Sequence, residues 1–310
     1  MNVTDDPPAH EGVPATPDWL AKLGNEASRI AAEGDAEAAE ALLTCAFNTG
    51  PGDIGPVGLG RALVQLTLQL DEVARWQALA GVLQHALELL VPEVLQAWGD
   101  VVATLEQLAV VAGRAGEMQV QAERLTDIVC LAAAQTGPPD SATANVYLRV
   151  RNWCIRGQAL DAAVVLEQAL LRYILAAPEL PDDERAAWLS HHFVQLTQWQ
   201  RADLIPAQLV LAEAAASIAP WPLTLSVCQL QRSNLHEDAG DWPAAARSLE
   251  QALQPAGHLD TDRIPLHSRA ARAWFRSGDA VQSAHHSRAA IRLRLVASGR
   301  ASFQPHLASP

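Results

Sequence analysis

The stretch from Gly240 to Leu253 reads Gly-Asp-Trp-Pro-Ala-Ala-Ala-Arg-Ser-Leu-Glu-Gln-Ala-Leu. Gly-Asp is a turn signal, and the residues after it favour a short helix. The residues five, nine and twelve positions after Gly240 are Ala245, Leu249 and Ala252. They lie on one helical face, because steps of four and three residues stay in phase with a 3.6-residue turn. Small residues at two of these positions let another helix approach closely, so this face is predicted to pack.

The same spacing recurs along the chain, which indicates a repeated helical hairpin. Two close copies are Gly34 followed by Ala39, Leu43 and Ala46, and Gly157 followed by Ala162, Leu166 and Ala169. The corresponding positions after Ala202 are Ala207, Leu211 and Ala214. Seven turns are predicted, separated by 40, 42, 41, 45, 38 and 38 residues: Gly34, Ala74, Gly116, Gly157, Ala202, Gly240 and Gly278.

The first helices of several hairpins carry further features. A small residue recurs seven positions before a turn, and a tryptophan lies four positions before two of the turns. These residues are Ala27, Ala109, Ser233 and Ala271, and Trp153 and Trp274. Together with the turn glycine and the Ala-large-Ala spacing of the second helix, the pattern resembles the tetratricopeptide repeat.

The resemblance implies a right-handed α-α superhelix of about seven hairpins whose first helices line a concave face. Repeats of that family have about 34 residues. The period here is nearer 40, so the helices are expected to be longer. Units of this length are similar to the sensor superhelices of bacterial maltose-activator-type transcription regulators. What such repeats bind, by this resemblance, is a peptide, a protein or a small effector.

The composition agrees with an all-α fold, since Ala and Leu dominate and aromatic residues make up only 5%. We predict a disordered leader over residues 1–15, a repeat solenoid over 16–297 and a flexible tail over 298–310. Thr16 and Pro17 are suited to begin the first helix. The Pro- and Gly-rich segment 136–140 is the expected place for an irregular junction. The repeat register is least secure between residues 50 and 135.

The charge is −13 over the whole chain but is unevenly distributed. From Leu259 onward there are eight Arg against three Asp, a local charge of +5. A net acidic chain without a dense basic stripe argues against direct nucleic-acid binding. The last hairpin, Arg263 to Arg294, is either a solvated cap or a surface for an acidic partner, including a second copy in a homo-oligomer.

Neither a transmembrane segment nor a signal peptide is predicted, which makes the cytoplasm the expected compartment and leaves no role at a membrane. The four cysteines are scattered within apolar helical patterns. We therefore expect them to be small core residues in a reducing compartment. They are Cys45, Cys130, Cys154 and Cys228.

The sequence has no nucleophile elbow and no phosphate-binding loop, so we predict a protein that is not an enzyme and uses no cofactor. Neighbouring histidines such as His191 and His192 point about 100° apart on a helix and cannot share one metal ion. The polar run from His236 to Asp241 is either a metal cup or ordinary turn polarity. Our prediction is that no metal is bound.

Ligand contacts are expected three, six and ten positions before each turn, on the concave side. Arg151 and Arg272 are suited to grip a carboxylate, and Asn234 to bind a peptide backbone. Solvated polar residues on an exposed helical face are the alternative for each position. The nominated residues are Tyr147, Arg151, His192, Trp199, Asn234, Glu237, Ser268, Arg272 and Phe275.

The resulting functional hypothesis is a non-enzymatic scaffold or adaptor that binds a protein or peptide in a concave groove. The alternative is an effector-sensing regulatory protein without its own DNA-binding domain. A thermal shift caused by a small metabolite would favour the alternative, and a dominant protein partner would favour the scaffold.

Overall fold

The computed structural model describes residues 14–254 and 260–298. Over these residues it has fourteen α-helices, three short 3-10 helices and no strand beyond an isolated bridge between Pro14 and Gly50. The α-helices are α1 (Pro17–Glu33), α2 (Ala36–Phe47), α3 (Gly55–Leu70), α4 (Trp76–Leu90), α5 (Trp98–Ala115), α6 (Met118–Ala134), α7 (Ser141–Arg156), α8 (Leu160–Ala176), α9 (Asp182–Gln198), α10 (Ile205–Ile218), α11 (Pro222–Asp238), α12 (Trp242–Ala252), α13 (Asp260–Arg276) and α14 (Ala280–Ala297). None of these helices combines the length and the apolar character that crossing a bilayer requires.

The chain divides into two compact units, Met1–Leu170 and Leu171–Pro310, with the boundary inside α8. In the first unit, α1 packs on α2 and α3, α4 on α2, α3 and α5, and α5 on α6 and α7. In the second unit, α11 packs on α9, α10 and α12, and α13 packs on α12 and α14. In each unit a helix contacts its neighbours in the chain, and several also contact the next helix but one. The prediction of an all-α fold of hairpins that pack in chain order is confirmed.

Neighbouring hairpins of the second unit are also joined by hydrogen bonds. The residue before α11 is Trp221, whose side chain makes no capping hydrogen bond. Asp182, the first residue of α9, supplies the cap from the preceding hairpin. Its carboxylate accepts hydrogen bonds from the Leu223 N–H at 2.7 Å, the Thr224 N–H at 3.0 Å and the Thr224 hydroxyl at 2.7 Å.

The ends of the predicted solenoid are only partly within the described residues. Thr16 caps α1 as predicted, since its hydroxyl accepts a hydrogen bond from the Trp19 N–H at 3.2 Å. Ala15, assigned to the leader, is fully buried and donates its N–H to the Gly50 carbonyl at 2.9 Å. The leader is therefore too long by at least Pro14 and Ala15. Its remainder and the tail from residue 299 lie outside the described residues.

The hairpin turns contain residues with a left-handed backbone. Each of these residues follows the last turn of a first helix, where a positive φ reverses the chain. In all but the first of them, the N–H of the next residue donates to the carbonyl five residues earlier, at 2.8 to 2.9 Å. The left-handed turn residues are Gly34, Gly116, Gln158, Gln200, Gly240 and Gly278.

Two predicted turns are wrong. The left-handed residue is Gln158 rather than Gly157, and Gln200 rather than Ala202. The left-handed conformation costs an L-residue roughly 1–2 kcal/mol. Glutamine therefore rarely adopts it and gives no turn signal in a sequence. With the corrected positions, the last five turns are separated by 42, 42, 40 and 38 residues. The repeat is more regular than the sequence alone indicates.

The corrected turns also explain which residues form the core. After Gly240, Ala245, Leu249 and Ala252 are fully buried, as predicted. After Ala202 the prediction is wrong, because Ala207, Leu211 and Ala214 are exposed. Counting the same steps from Gln200 gives the buried residues Ile205, Leu209 and Ala212.

The cysteines divide into two pairs. Cys154 and Cys228 are buried, as expected for core residues. Burial raises the pKa of Cys228 to about 12, which keeps it a neutral thiol at physiological pH. Cys45 and Cys130 are exposed, so their assignment to the core is wrong. The helical pattern places them at positions that the neighbouring helices leave uncovered.

Candidate functional site

The rule of three, six and ten positions before the turn identifies a groove once the turns are corrected. Applied to Gln200 and Gly240, it selects residues of the first helices α9 and α11. All six line one of two adjacent cavities of the second unit: Thr197, Val194 and Ser190 of α9, and Glu237, Asn234 and Leu230 of α11. With the corrected turn, the rule thus selects residues that line these cavities on both helices.

The larger cavity, which we name the distal cavity because it is farther from the turns, has a volume of about 620 Å³. It lies between the N-terminal halves of α9, α11 and α13. Ala187, Val227 and Pro265 occupy the same position, thirteen residues before their turns, on these three helices. The lining is mainly apolar and also includes Asp183 and Arg269. Equivalent positions of successive first helices thus form one continuous surface.

The second cavity, the turn-proximal cavity, has a volume of about 460 Å³. It lies between the C-terminal halves of α9 and α11 and the start of α10. Val194, Phe193 and Ile205 form part of its apolar lining, and Asn234 and Glu237 supply polar groups. A site that combines apolar surface with a few polar groups is suited to orient a bound chain.

A polar cluster connects the two cavities. Arg269, which lines the distal cavity, donates from Nη2 to the Asn234 Oδ1 and to the Glu237 Oε1, both at 2.7 Å. Arg272 Nη2 lies 3.6 Å from the Glu237 Oε2. The Asn234 Nδ2 donates to the Gln231 Oε1 at 2.9 Å. We name the two cavities and this cluster the first-helix groove.

The structure places three nominated residues inside the protein. Tyr147 is fully buried and its hydroxyl accepts from the Trp98 Nε1 at 3.1 Å and donates to the Gln135 Oε1 at 2.9 Å. Arg151 is buried and donates from Nη1 to the Glu167 Oε2 at 2.6 Å. Their prediction as exposed groove residues is wrong, because the turn lies one position later.

His192 is likewise buried, with its Nε2 at 2.5 Å from the Gln208 Oε1. Here the predicted turn was displaced by two residues, and the position ten residues before the true turn is Ser190. Trp199 is half-buried at the C-cap of α9. The corrected count replaces it with Thr197, which lines the turn-proximal cavity.

The nominated residues of α13 remain accessible. Ser268 is half-buried, whereas Arg272 and Phe275 are exposed, the latter by 73%. Arg272 is the nominated arginine whose guanidinium is accessible to a carboxylate, since Arg151 is paired in the core. The structure thus brings Asn234, Glu237 and Arg272 together, whereas the other nominated residues Tyr147, Arg151 and His192 are buried.

The predicted alternative of a metal cup at the α11–α12 turn finds no geometric support. The Asp241 N–H donates to the His236 carbonyl at 2.8 Å, and the Asp241 carboxylate accepts from the Ala244 N–H at 3.1 Å. These are the hydrogen bonds of a helix end and a helix cap. Within residues 14–254 and 260–298, no group of three or more His, Cys, Asp or Glu side chains could hold a metal ion.

Sequence reasoning missed the residues of the distal cavity. Asp183, Ala187, Val227 and Pro265 lie farther from the turns than the three positions we considered. A signal was present, because steps of three and four residues continue the groove face toward the start of each first helix. The sequence does not show how far toward the start of each first helix the neighbouring helices leave this face uncovered.

Comparison with known proteins gives only a distant structural similarity. No protein-family model and no curated protein matches the chain. Among solved structures, the chain is similar to BtubC (BKLC) from P. vanneervenii, with 15% sequence identity and a TM-score of 0.39. The match covers 76% of this chain and 97% of that chain. At this identity and TM-score, the likeness supports no statement about function.

Proposed function

We propose that the chain is a non-enzymatic binding scaffold built from tetratricopeptide-like repeats, and that the first-helix groove holds an extended segment of a protein partner. The observation that carries the proposal is the alignment of equivalent positions of α9, α11 and α13 along a largely apolar cavity of about 620 Å³. Exposed apolar residues of the same helices, such as Phe275 of α13, add contact surface for a partner.

The polar cluster supports the same function in a different way. A peptide backbone needs donors and acceptors along its length, because each unsatisfied buried amide costs about 1–3 kcal/mol. Asn234 and Glu237 lie between the apolar regions of the two cavities and offer such groups. Arg269 holds both side chains in place, so little side-chain freedom is lost on binding.

The test is capture of partners from a cell extract by the full chain and by two Val→Arg variants. Val227→Arg places a guanidinium in the distal cavity. Val210→Arg is the matched control, since Val210 is 61% exposed on α10 and lines neither cavity. We expect partners to be lost with Val227→Arg and retained with Val210→Arg, at unchanged helicity. Retention of the same partners by both variants would refute the groove.

A small effector is the second candidate, because the distal cavity is within the range of about 300–1,000 Å³ typical of small-molecule sites. A metabolite that binds only the folded chain raises its melting temperature. We would screen a metabolite library by thermal shift and repeat every hit with Val227→Arg. A hit that this variant abolishes would favour an effector-sensing regulatory protein over a scaffold.

A further inference from the structure

The last described helix, α14, leaves large apolar side chains in solvent. Its only buried residues are His286 and Ala290. Val281, Ile291 and Leu295 are exposed by 76%, 53% and 46%. The face of an amphipathic helix that points away from its packing partner is normally polar. An apolar outer face on α14 therefore calls for a specific explanation.

The exposed residues of α14 follow the spacing of a coiled-coil seam. Positions 281, 284, 288, 291 and 295 are separated by alternating steps of three and four residues, and all five are exposed. These are the a and d positions of two heptads, which face a partner helix. We name them the α14 seam: Val281, Ala284, Arg288, Ile291 and Leu295.

Basic residues lie within and beside the seam. Arg292 occupies an e position and Arg294 a g position, where charged residues select the partner of a coiled coil. Among the residues that the structure describes, no acidic side chain forms a salt bridge with Arg288, Arg292 or Arg294. Arg294 instead donates to the Ser268 hydroxyl at 3.1 Å, and Arg288 to the Ala284 carbonyl at 3.2 Å.

We propose that the α14 seam binds an amphipathic helix of a partner protein, with apolar residues at its a and d positions and Asp or Glu beside them. Apolar contacts would cover Ile291, Leu295 and Val281, and the acidic residues would pair with the three arginines. The proposed partner is thus opposite in charge to the helix that it meets. This surface is separate from the first-helix groove and does not depend on its function.

A basic amphipathic helix can also lie on an anionic membrane, but the seam favours a protein helix. Membrane-surface helices bury a broad apolar face in the acyl region. Here Arg288 occupies the middle of the seam and Ala284 offers little apolar area. In a helix pair, by contrast, an arginine at this position can extend its charged group to an acidic neighbour.

The experiment uses the full chain and two synthetic three-heptad peptides, both with Leu at a and d. One has Glu at e and g, and the other has Lys there. We expect the Glu peptide to bind, as measured by fluorescence anisotropy, and the Lys peptide to bind at least about tenfold more weakly. Raising the salt from about 50 mM to about 300 mM should weaken the Glu peptide, because it screens the ion pairs.

Two double variants distinguish binding at the α14 seam from nonspecific binding to exposed apolar residues. Ile291→Glu with Leu295→Glu should weaken the Glu peptide by at least about tenfold. Val210→Glu with Leu211→Glu, at 61% and 60% exposed positions on α10, should leave it unchanged. Equal binding of both peptides, or binding of neither, would overturn the proposal. So would binding of phosphatidylserine vesicles alone, or self-association of the chain that the seam variant abolishes.

Discussion

The α7/α8 hairpin and the α11/α12 hairpin close through the same turn but contain different cores. Seven residues before the turn and nine after it, α11/α12 has Ser233 and Leu249, both fully buried. At the same positions relative to Gln158, α7/α8 has Arg151 and Glu167, exposed by only 6% and 2%. Where α11/α12 has a buried small residue and a buried large apolar one, α7/α8 thus has a buried ion pair.

The difference shows that the hairpin geometry does not require one particular core. A left-handed turn residue is common to both hairpins, whereas the equivalent buried positions carry no charge in one and an ion pair in the other. A buried ion pair must overcome the cost of removing two charges from water, so it stabilises little beyond an apolar pair of similar volume. Removing either partner, however, leaves the other charge buried without its counterion.

The largest effect should come from breaking the ion pair. Glu167→Leu leaves the Arg151 guanidinium buried without its carboxylate, and should lower the free energy of unfolding by about 3–5 kcal/mol in urea denaturation. Adding Arg151→Ser recreates the pair found in α11/α12. The double variant should recover part of the loss, because no charge is left uncompensated although the smaller serine leaves a cavity. A single variant as stable as the parent chain would show that the ion pair is not coupled to folding.

A smaller loss is expected from the apolar hairpin. Leu249→Ala should cost about 2–5 kcal/mol, through lost burial and the cavity that remains. The exposed Leu211, changed to Ala in the same way, serves as the control and should cost little. If Leu249→Ala lowered the free energy of unfolding more than Glu167→Leu under the same denaturation conditions, the ion pair would not be the more sensitive of the two cores.

Substitutions in the two turns should change the free energy of unfolding by a still smaller amount. Gln158 adopts a φ of 59° and Gly240 a φ of 75°. Gln158→Gly should therefore stabilise the chain by up to about 1 kcal/mol, and Gly240→Ala should destabilise it by about the same amount. Both are measurable as opposite shifts in the urea midpoint. Shifts of the same sign would mean that backbone strain does not distinguish the two turns.

The α13/α14 hairpin extends the comparison to a titratable pair. The His267 Nδ1 lies 2.9 Å from the His286 Nδ1, and the His286 Nε2 lies 3.1 Å from the Glu250 Oε1. Burial lowers the pKa of His267 from its ordinary value, and the charges of His286, Arg263 and His285 act in the same direction. Trp274 Nε1 also donates to the Glu250 Oε1, at 2.8 Å.

Because the folded-state pKa of His267 is lowered, the unfolded chain binds a proton more readily. The stability from neutral His267 should be complete above the unfolded pKa of about 6.5 and should decline as the pH falls below it. Urea midpoints between about pH 5 and pH 8 would measure this small effect. His267→Gln should flatten the profile in that range. An unchanged profile in the variant would assign the titration to other groups.

The sequence predicted features that depend on local spacing. The face of Ala245, Leu249 and Ala252 follows from helical periodicity, and the groove positions Asn234 and Glu237 follow from a correctly placed glycine turn. The turns at Gln158 and Gln200 could not be predicted, because their left-handed backbone is imposed by the packed helices rather than by their own preference.

The buried residues Arg151 and His192 were missed for a related reason. Arginine is mostly exposed in proteins and histidine has no strong preference, so their burial depends on a partner on the facing helix. Glu167 and Gln208 each lie sixteen residues away in sequence, across a turn. A shift of one or two residues in the turn therefore exchanged groove and core. For the same reason, the prediction selected His192 at a groove position that Ser190 occupies in the structure.

The hydrogen bonds that α11 donates to Asp182 affect how the second unit folds and unfolds. In a linear array, the order of each repeat depends on the interface with its nearest neighbour. The N–H groups of Leu223 and Thr224 have their acceptor on α9, so a fragment that begins at Pro222 would expose both to solvent at a frayed helix end. Unfolding of the α9/α10 hairpin should therefore spread into α11, and proteases should cut the unit in steps of whole hairpins.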